Sequence, residues 1–156
     1  MADQLIRLRT AERQITITRM FQAPRELVWK EWTEPRRFAD WFGGPETEVP
    51  LSSVSIDLRP GGAWRATTLA YGPDRRDIRW EGEYIDVIEP ERLAFTIGGL
   101  ANVPTPDVVT VILADLGDGR TKMLFQQRGH RTAEQYEQTR KAWSAEFDHL
   151  AGRLCS

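Results

Sequence analysis

The feature that most constrains how this chain can fold is residues 15–45, ITITRMFQAPRELVWKEWTEPRRFADWFGGP. The first part of this segment is rich in β-branched side chains and alternates with a period of two, which predicts a β-strand. Pro24 and Pro35 then each suit the first position of a short helix, where the missing backbone N–H costs nothing. A strand that leads into two short helices and then into further strands predicts a curved sheet wrapped around one long C-terminal helix.

From Thr47 onward the sequence alternates with a period of two, which is typical of β-strands. Val54, Ile56 and Leu58 are predicted to share one face of the strand that begins this region. Short segments rich in glycine and proline follow, and they predict tight turns. Six strands joined by such turns between residues 48 and 128 predict an antiparallel meander.

The longest predicted helix is Thr132–Leu154, and Thr132 with Gln135 has the spacing of a capping box. Apolar side chains recur along it at three- and four-residue steps and form one stripe that only Arg140 interrupts: Tyr136, Trp143, Phe147, Leu150 and Leu154. Such a stripe must be buried, and the concave face of the meander is the available surface.

Composition narrows the classes of function. The chain has 156 residues, enough for one domain with a sizeable core, so residues 1–156 are interpreted as a single domain with residues 1–13 as an N-terminal arm. A net charge of −2 argues against strong binding to nucleic acid, and no window is apolar enough for a membrane span. The single cysteine, Cys155, excludes an intrachain disulfide, and the N-terminus lacks a signal-peptide core. A cytoplasmic location is the resulting prediction.

Several stretches, in order along residues 15–154, carry a resemblance to a known family: Phe21-Gln22-Ala23-Pro24 with Val28-Trp29, Thr33-Glu34-Pro35 with Trp41-Phe42, Asp57-Leu58-Arg59-Pro60-Gly61-Gly62 with Trp64, Gly82-Glu83-Tyr84 through Pro90-Glu91-Arg92-Leu93, and Trp143 with Phe147, Leu150 and Leu154. They resemble the START-like superfamily, also called SRPBCC. The nearest likeness is to its group related to the activator of the heat-shock-protein-90 ATPase.

The resemblance implies an α+β helix-grip fold. In this fold a curved antiparallel sheet of about seven strands holds a long C-terminal helix, two short helices follow the first strand, and a cavity lies between sheet and helix. Relatives bind lipids, sterols, polyketides or plant hormones, some are cyclases or dehydratases, and some act on other proteins. The fold alone therefore does not decide the function.

The sequence contains no pattern that indicates catalysis. His130 and His149 have no cysteine or histidine partner at the spacing of a metal site, so no metal is expected. A Gly-x-Ser-x-Gly elbow, a Gly-x-Gly-x-x-Gly motif and a P-loop are all absent from the sequence. Neither a catalytic residue nor a cofactor is predicted.

One residue of strand register decides which polar side chains face the expected cavity. If Tyr84 and Phe125 face the helix, then Trp80 and Gln127 face it as well. A shift by one residue would instead turn Glu81, Glu83 and Gln126 inward. A carboxylate such as Glu83 in an apolar cavity would have a raised pKa and could act as a general acid or base. The favoured interpretation places Glu83 outside, because burying an unpaired carboxylate is costly.

The residues predicted to line the ligand cavity are mostly aromatic, as the walls of such cavities usually are. They are Trp29, Trp32, Phe38, Trp41, Trp64, Trp80, Tyr84, Phe95, Phe125, Tyr136, Arg140, Trp143 and Phe147. The fold needs most of these rings for packing, so only some of them can contact a ligand. Arg140 could reach the cavity mouth and meet a ligand carboxylate. The favoured alternative is an ion pair with Glu137 or Glu134 on the helix surface.

Three functions are consistent with these features. The favoured one is non-catalytic binding of a small hydrophobic or amphipathic molecule. The first alternative is a polyketide cyclase- or dehydratase-like enzyme, which requires at least two titratable groups that converge in the cavity. The second is a protein-interaction module of the chaperone-activator kind, which an exposed apolar patch near Trp41-Phe42 or on the C-terminal helix would favour. A homodimer could form through the free edge of the first strand or through the loop of residues 98–106.

Overall fold

The computed structural model describes residues 12–73, 76–98 and 105–154. The predicted arm lies outside these ranges except for its last two residues, and Cys155 and most of the 98–106 loop lie outside them too. The strands of the described part are β1 (Arg13–Phe21), β2 (Thr47–Glu48), β3 (Ser55–Ile56), β4 (Ala63–Ala70), β5 (Asp77–Ile88), β6 (Arg92–Ile97), β7 (Asp107–Asp115) and β8 (Thr121–Gly129). Its helices are α1 (Arg25–Thr33), α2 (Pro35–Trp41) and α3 (Ala133–Leu154).

These strands form one curved sheet in the order β1-β8-β7-β6-β5-β4-β2, with β3 also paired to β4. Every pair is antiparallel, and from β4 to β8 each strand pairs with the next one along the chain. The predicted meander and the predicted helix-grip architecture are therefore confirmed. Strand β1 pairs with β8, the last strand, and so forms one edge of the sheet.

The segment before β4 differs from the predicted continuous strand. Between β2 and β4, only Ser55–Ile56 pairs with β4, and a 3-10 turn at Leu51–Ser53 separates this pair from β2. Pro50 precedes the turn and has no backbone N–H to donate to a sheet, which favours an interruption at this point. Leu58 is exposed and does not join the predicted buried face. Seven strands, not six, therefore lie between β1 and α3 in the described part of the chain.

Prolines begin both short helices, but at different positions. Pro24 is the N-cap of α1, one residue before the predicted position, and its carbonyl accepts a hydrogen bond from the Val28 N–H at 3.2 Å. Pro35 occupies the first turn of α2, as predicted. The capping box of α3 is confirmed, since Gln135 N donates to Thr132 Oγ1 at 3.1 Å and Thr132 N donates to Gln135 Oε1 at 2.9 Å.

The core between sheet and helices is built from aromatic rings. Trp32 of α1 has its ring centroid 4.8 Å from that of Trp41 in α2 and 6.0 Å from that of Trp143 in α3. Such separations are favourable for aromatic pairs. Trp41 and Phe42 are both buried. The apolar surface patch that would favour a protein-interaction module therefore does not form at these two residues.

Strand β5 has the register that turns Tyr84 inward. Tyr84 is buried, whereas Glu81 and Glu83 are exposed on the opposite face. The placement of Glu83 outside the cavity is thus confirmed. A group for acid–base chemistry must come from another element.

Candidate functional site

The void among the predicted aromatic residues is small, with a volume of about 10 Å³. Its walls are Trp32, Phe38, Phe42, Ile56, Trp64, Tyr84, Leu93, Phe95 and Trp143. A cavity needs about 10–15 Å³ to hold even one water molecule. Side chains therefore fill this part of the space between sheet and α3, and a ligand would have to displace them.

A larger cavity of about 210 Å³ adjoins the first and shares Phe42 and Trp143 with it. We call it the α3 cavity, because the middle of α3 forms one wall and β4, β5, β6 and β8 supply others. Its apolar lining residues are Phe42, Ile78, Trp80, Ile97, Ala142 and Trp143. The remaining lining residues are Gly43, Thr47, Thr68, Gln127, Arg131, Thr139 and Glu146. A mainly apolar wall with a few polar groups is typical of a small-molecule site.

Glu146 brings a carboxyl group to the wall of the α3 cavity. The residue is only 7% exposed, and the backbone N–H of Gly43 donates a hydrogen bond to its Oε1. No basic side chain of the described residues forms an ion pair with it. Burial raises the pKa of Glu146 to about 8, and the hydrogen bond from Gly43 offsets this only in part. Most of the population therefore holds a neutral carboxylic acid at pH 7.

The loop after α2 positions the donor that Glu146 meets. Gly43 and Gly44 have φ angles of 85° and 79°, a left-handed conformation that glycine adopts without strain. A side chain at Gly43 would also overlap the hydroxyl of Thr47. The Gly-Gly-Pro sequence that ends the second helix thus turns the chain so that a backbone N–H reaches α3.

A buried hydrogen-bond network supports another part of the wall. Asp107 of β7 is 1% exposed, and its Oδ2 accepts hydrogen bonds from Gln127 Nε2 at 2.8 Å and from the Tyr136 hydroxyl at 3.0 Å. Gln127 Oε1 accepts a third from Trp143 Nε1 at 2.8 Å. Arg131 Nε lies 3.7 Å from Asp107 Oδ2. These contacts orient Gln127 and Trp143 and give Arg131 a counter-charge.

This network leaves two polar atoms without a hydrogen-bond partner, Asp107 Oδ1 and Arg131 Nε. The network is closely packed against β8, because a side chain on Gly129 would overlap both the Asp107 carboxylate and the Tyr136 hydroxyl. Burial raises the pKa of Tyr136 to about 12, and the charge of Asp107 adds to the effect. The phenol therefore stays protonated and remains a donor to Asp107.

The predicted ligand-binding residues fall into three groups. Trp80 and Trp143 line the α3 cavity, and Trp80 Nε1 donates to Thr68 Oγ1 at 3.0 Å. The small void is surrounded by a second group, Trp32, Phe38, Trp64, Tyr84 and Phe95. A third group lies buried outside both linings: Trp29, Trp41, Phe125, Tyr136 and Phe147.

Arg140 lies outside both linings as well, on the surface of α3. Its Nε is 3.6 Å from Glu137 Oε2, which is the favoured alternative, and its Nη1 donates to the Thr16 carbonyl at 3.4 Å. The arginine that does line the α3 cavity is Arg131, just before the helix begins.

Of the charged and amide side chains in the α3 cavity, only Gln127 was predicted to face inward, on the same side of its strand as Phe125. Glu146 and Arg131 were not predicted. Glu146 lies three residues after Trp143 and four before Leu150, on the side of α3 that the apolar stripe buries. An acidic residue so close to the apolar stripe was the feature of the sequence that could have indicated a polar group in the cavity. No comparable signal existed for Arg131. Its partner Asp107 lies on β7, far away in sequence, and no spacing rule connects the two residues.

Metal and membrane features can be stated for the described residues only. Among them, no group of three or more His, Cys, Asp or Glu side chains is placed to hold a metal ion. None of the helices in residues 12–73, 76–98 and 105–154 is long and apolar enough to cross a membrane. Neither His130 nor His149 lines the α3 cavity.

A curved antiparallel sheet that grips a long C-terminal helix, with a cavity between them, defines a START-like helix-grip protein. The family model described as activator of Hsp90 ATPase homolog 1-like protein matches residues 22–154. The chain belongs to this family. No curated protein matches the chain.

Solved structures of bacterial proteins share the fold over nearly the whole chain. Protein CV1439 from Chromobacterium violaceum is 25% identical, with a TM-score of 0.81, and the match covers 90% of this chain and 96% of that one. The AHSA1 protein from Silicibacter pomeroyi is 17% identical, with a TM-score of 0.80 and coverages of 92% and 98%. CalU16 from Micromonospora echinospora is 23% identical, with a TM-score of 0.67 and coverages of 93% and 77%.

Proposed function

We propose that this protein binds a small, mainly apolar molecule with one polar group in the α3 cavity. The observation that carries the proposal is the cavity itself, which joins aromatic and aliphatic walls to Glu146 and Arg131. Burying a carboxyl without a basic partner costs stability, and such costly groups are concentrated at functional sites. Contact with the polar group of a ligand would supply such a function.

The volume of the cavity limits the size of the ligand. An apolar cavity of about 150 Å³ accepts benzene, whereas sites for drug-sized molecules occupy about 300–1,000 Å³. The α3 cavity, at about 210 Å³, therefore suits one ring with a short substituent. A sterol or a long acyl chain would require the aromatic core around Trp32 to open.

One-ring compounds such as acetophenone, α-methylstyrene and benzyl alcohol are expected to bind and to stabilise the fold. Trp80 and Trp143 line the cavity, so binding should change tryptophan fluorescence saturably. Thermal unfolding should shift upward, with about 2.7 kcal/mol of stabilisation at a free ligand concentration of about 100 Kd. Absence of any saturable response across the panel would contradict the proposal.

A matched pair of variants tests whether the ligand binds in the α3 cavity. Ile78→Phe places a larger side chain in the wall of the α3 cavity and should weaken binding at least about tenfold, because the added ring occupies ligand space. Ile112→Phe makes the same change at an exposed position of β7 and should leave affinity unchanged. Equal affinities in the two variants would place the ligand elsewhere.

An enzyme that uses Glu146 as a general acid is the second candidate, because the pKa of about 8 suits proton transfer near neutral pH. Proton donation to a ketone oxygen would ease loss of a neighbouring C–H proton to water. In D₂O, the protein should then speed deuterium exchange at the methyl group of acetophenone, and Glu146→Gln should abolish the acceleration. Equal exchange rates with both proteins, in the presence of saturable binding, would leave a non-catalytic binder.

A further inference from the structure

The charge inventory of the α3 cavity is short. Its lining residues come from the loop after α2, from β2, β4, β5, β6 and β8, and from α3 with the residues before it. Of these residues only Arg131 and Glu146 carry titratable or charged side chains. Arg131 faces Asp107 at 3.7 Å, with the Tyr136 hydroxyl on the same carboxylate, so the charge of Arg131 is already balanced. The cavity is therefore electrically neutral whenever Glu146 holds its proton.

The hydrogen-bonding capacity of Glu146 is only partly used. Its Oε1 accepts from the Gly43 N–H, and its other oxygen has no hydrogen-bond partner among residues 12–73, 76–98 and 105–154. A protonated carboxyl offers one O–H donor in addition to its acceptor sites. Because Oε1 already accepts, the proton belongs on Oε2. Glu146 lines the α3 cavity, so a ligand there can provide the acceptor for this O–H donor.

We propose, on the basis of the ligand-binding function above, that the α3 cavity takes an uncharged one-ring molecule whose carbonyl-type oxygen accepts a hydrogen bond from the Glu146 carboxylic acid. A ligand carboxylate would enter a cavity whose one cation is already paired with Asp107. An ammonium group would have to give up its hydration next to Arg131, and burying charges is costly even when they are paired.

The proposal predicts a proton-linked affinity. Above the pKa of about 8, Glu146 becomes an acceptor-only carboxylate, which cannot donate to a carbonyl oxygen and repels it. Affinity for a ketone should therefore fall as the pH rises through that value, by at least the five- to tenfold that one hydrogen bond contributes. Tyr136, with a pKa of about 12, keeps its proton throughout this range.

Acetophenone and α-methylstyrene test the inference, because they have nearly the same shape and differ in a carbonyl oxygen against a methylene group. By isothermal titration near neutral pH, acetophenone should bind about five- to tenfold more tightly, the effect of one hydrogen bond. Glu146→Gln keeps an N–H donor and should retain the preference while losing the pH dependence. Glu146→Met removes the donor and should make the two ligands equivalent.

The outcomes separate this inference from the function on which it depends. Equal binding of both ligands to the unmodified protein would overturn the carbonyl inference and leave the ligand-binding function intact. Binding of neither would overturn both. Tighter binding of benzoate or benzylamine than of acetophenone would show that the cavity prefers an anionic or a cationic ligand, which would overturn the inference of an uncharged one. A ketone affinity that is constant across the alkaline range would remove Glu146 as the donor.

Discussion

The variant Glu146→Gln is expected to gain stability relative to the unmodified protein as the pH rises, by up to about 5 kcal/mol. Burial raises the pKa of Glu146 from 4.5 to about 8, and each pKa unit corresponds to about 1.36 kcal/mol. A pKa that is higher in the folded state means that the folded protein binds this proton more tightly. The contribution of Glu146 to stability is thus fully present below pH 4.5 and is lost as the pH rises through about 8. Glutamine cannot ionise and has no such loss.

Urea unfolding of both proteins at a series of pH values from about 5 to about 9 measures the effect. The quantity to compare is the difference in free energy of unfolding at each pH, because other groups titrate equally in both proteins. Glu137→Gln is the matched control, since Glu137 is on the same helix but exposed, and its ion pair is with Arg140. Its difference from the unmodified protein should stay within about 0.5 kcal/mol. Parallel curves for Glu146→Gln and the unmodified protein would show that Glu146 ionises freely in the fold.

The parts of the fold that could be predicted are those with a local cause. The start of α3 follows from Thr132 and Gln135, whose side chains satisfy backbone donors within one turn. The meander follows from alternating strands and from tight turns, such as the one where Gly61 has a φ of 84°. Interruption of the second strand was missed because Pro50 competes there with a pattern that otherwise alternates regularly.

The candidate site depends on contacts between distant residues, which periodicity does not encode. Gly43 and Glu146 meet although they are far apart in sequence, and the same is true of Asp107 and Arg131. Some of the predicted aromatic residues do line the α3 cavity. Which rings pack against one another and which border the cavity depends on contacts between distant elements. Trp80 and Trp143 border the α3 cavity, whereas Trp29 and Trp41 are buried in the core outside it.

A second large effect on stability is expected at the C-terminal end of α3, where Arg153 pairs with carboxylates of α1 and α2. Its Nε and Nη2 donate to the two carboxylate oxygens of Glu31 at 3.0 and 3.2 Å, and its Nη1 lies 3.1 Å from Asp40 Oδ2. Glu31 is 1% exposed, so Arg153 joins α3 to a buried carboxylate of α1, whereas its contact with Asp40 of α2 lies at the surface. The hydrogen bond with Glu31 raises the pKa of Arg153 above its usual value. Bidentate pairing of this kind is strong and depends on geometry.

Arg153→Ala should lower the free energy of unfolding by about 3 kcal/mol, because it leaves the buried carboxylate of Glu31 without its main partner. Arg37 lies 4.0 Å from Glu31 and offsets only part of the loss, since Glu34 already engages it at 2.9 Å. That places the effect at the lower end of the range of about 3–5 kcal/mol for broken buried pairs.

The double variant Glu31→Met with Arg153→Met separates the two causes that such a loss could have. It removes both charges and keeps side chains of similar length, so its stability should be within about 1 kcal/mol of the unmodified protein. Urea unfolding of the single and double variants at one pH gives the comparison. Arg153→Met alone keeps the packing of the stem and removes only the charge. If the double variant loses as much as Arg153→Met, then the ion pair itself stabilises the fold. If the double variant recovers relative to Arg153→Met, the cost of the single variant is that of an isolated buried charge, and the ion pair serves to fix the position of α3 more than to stabilise the fold.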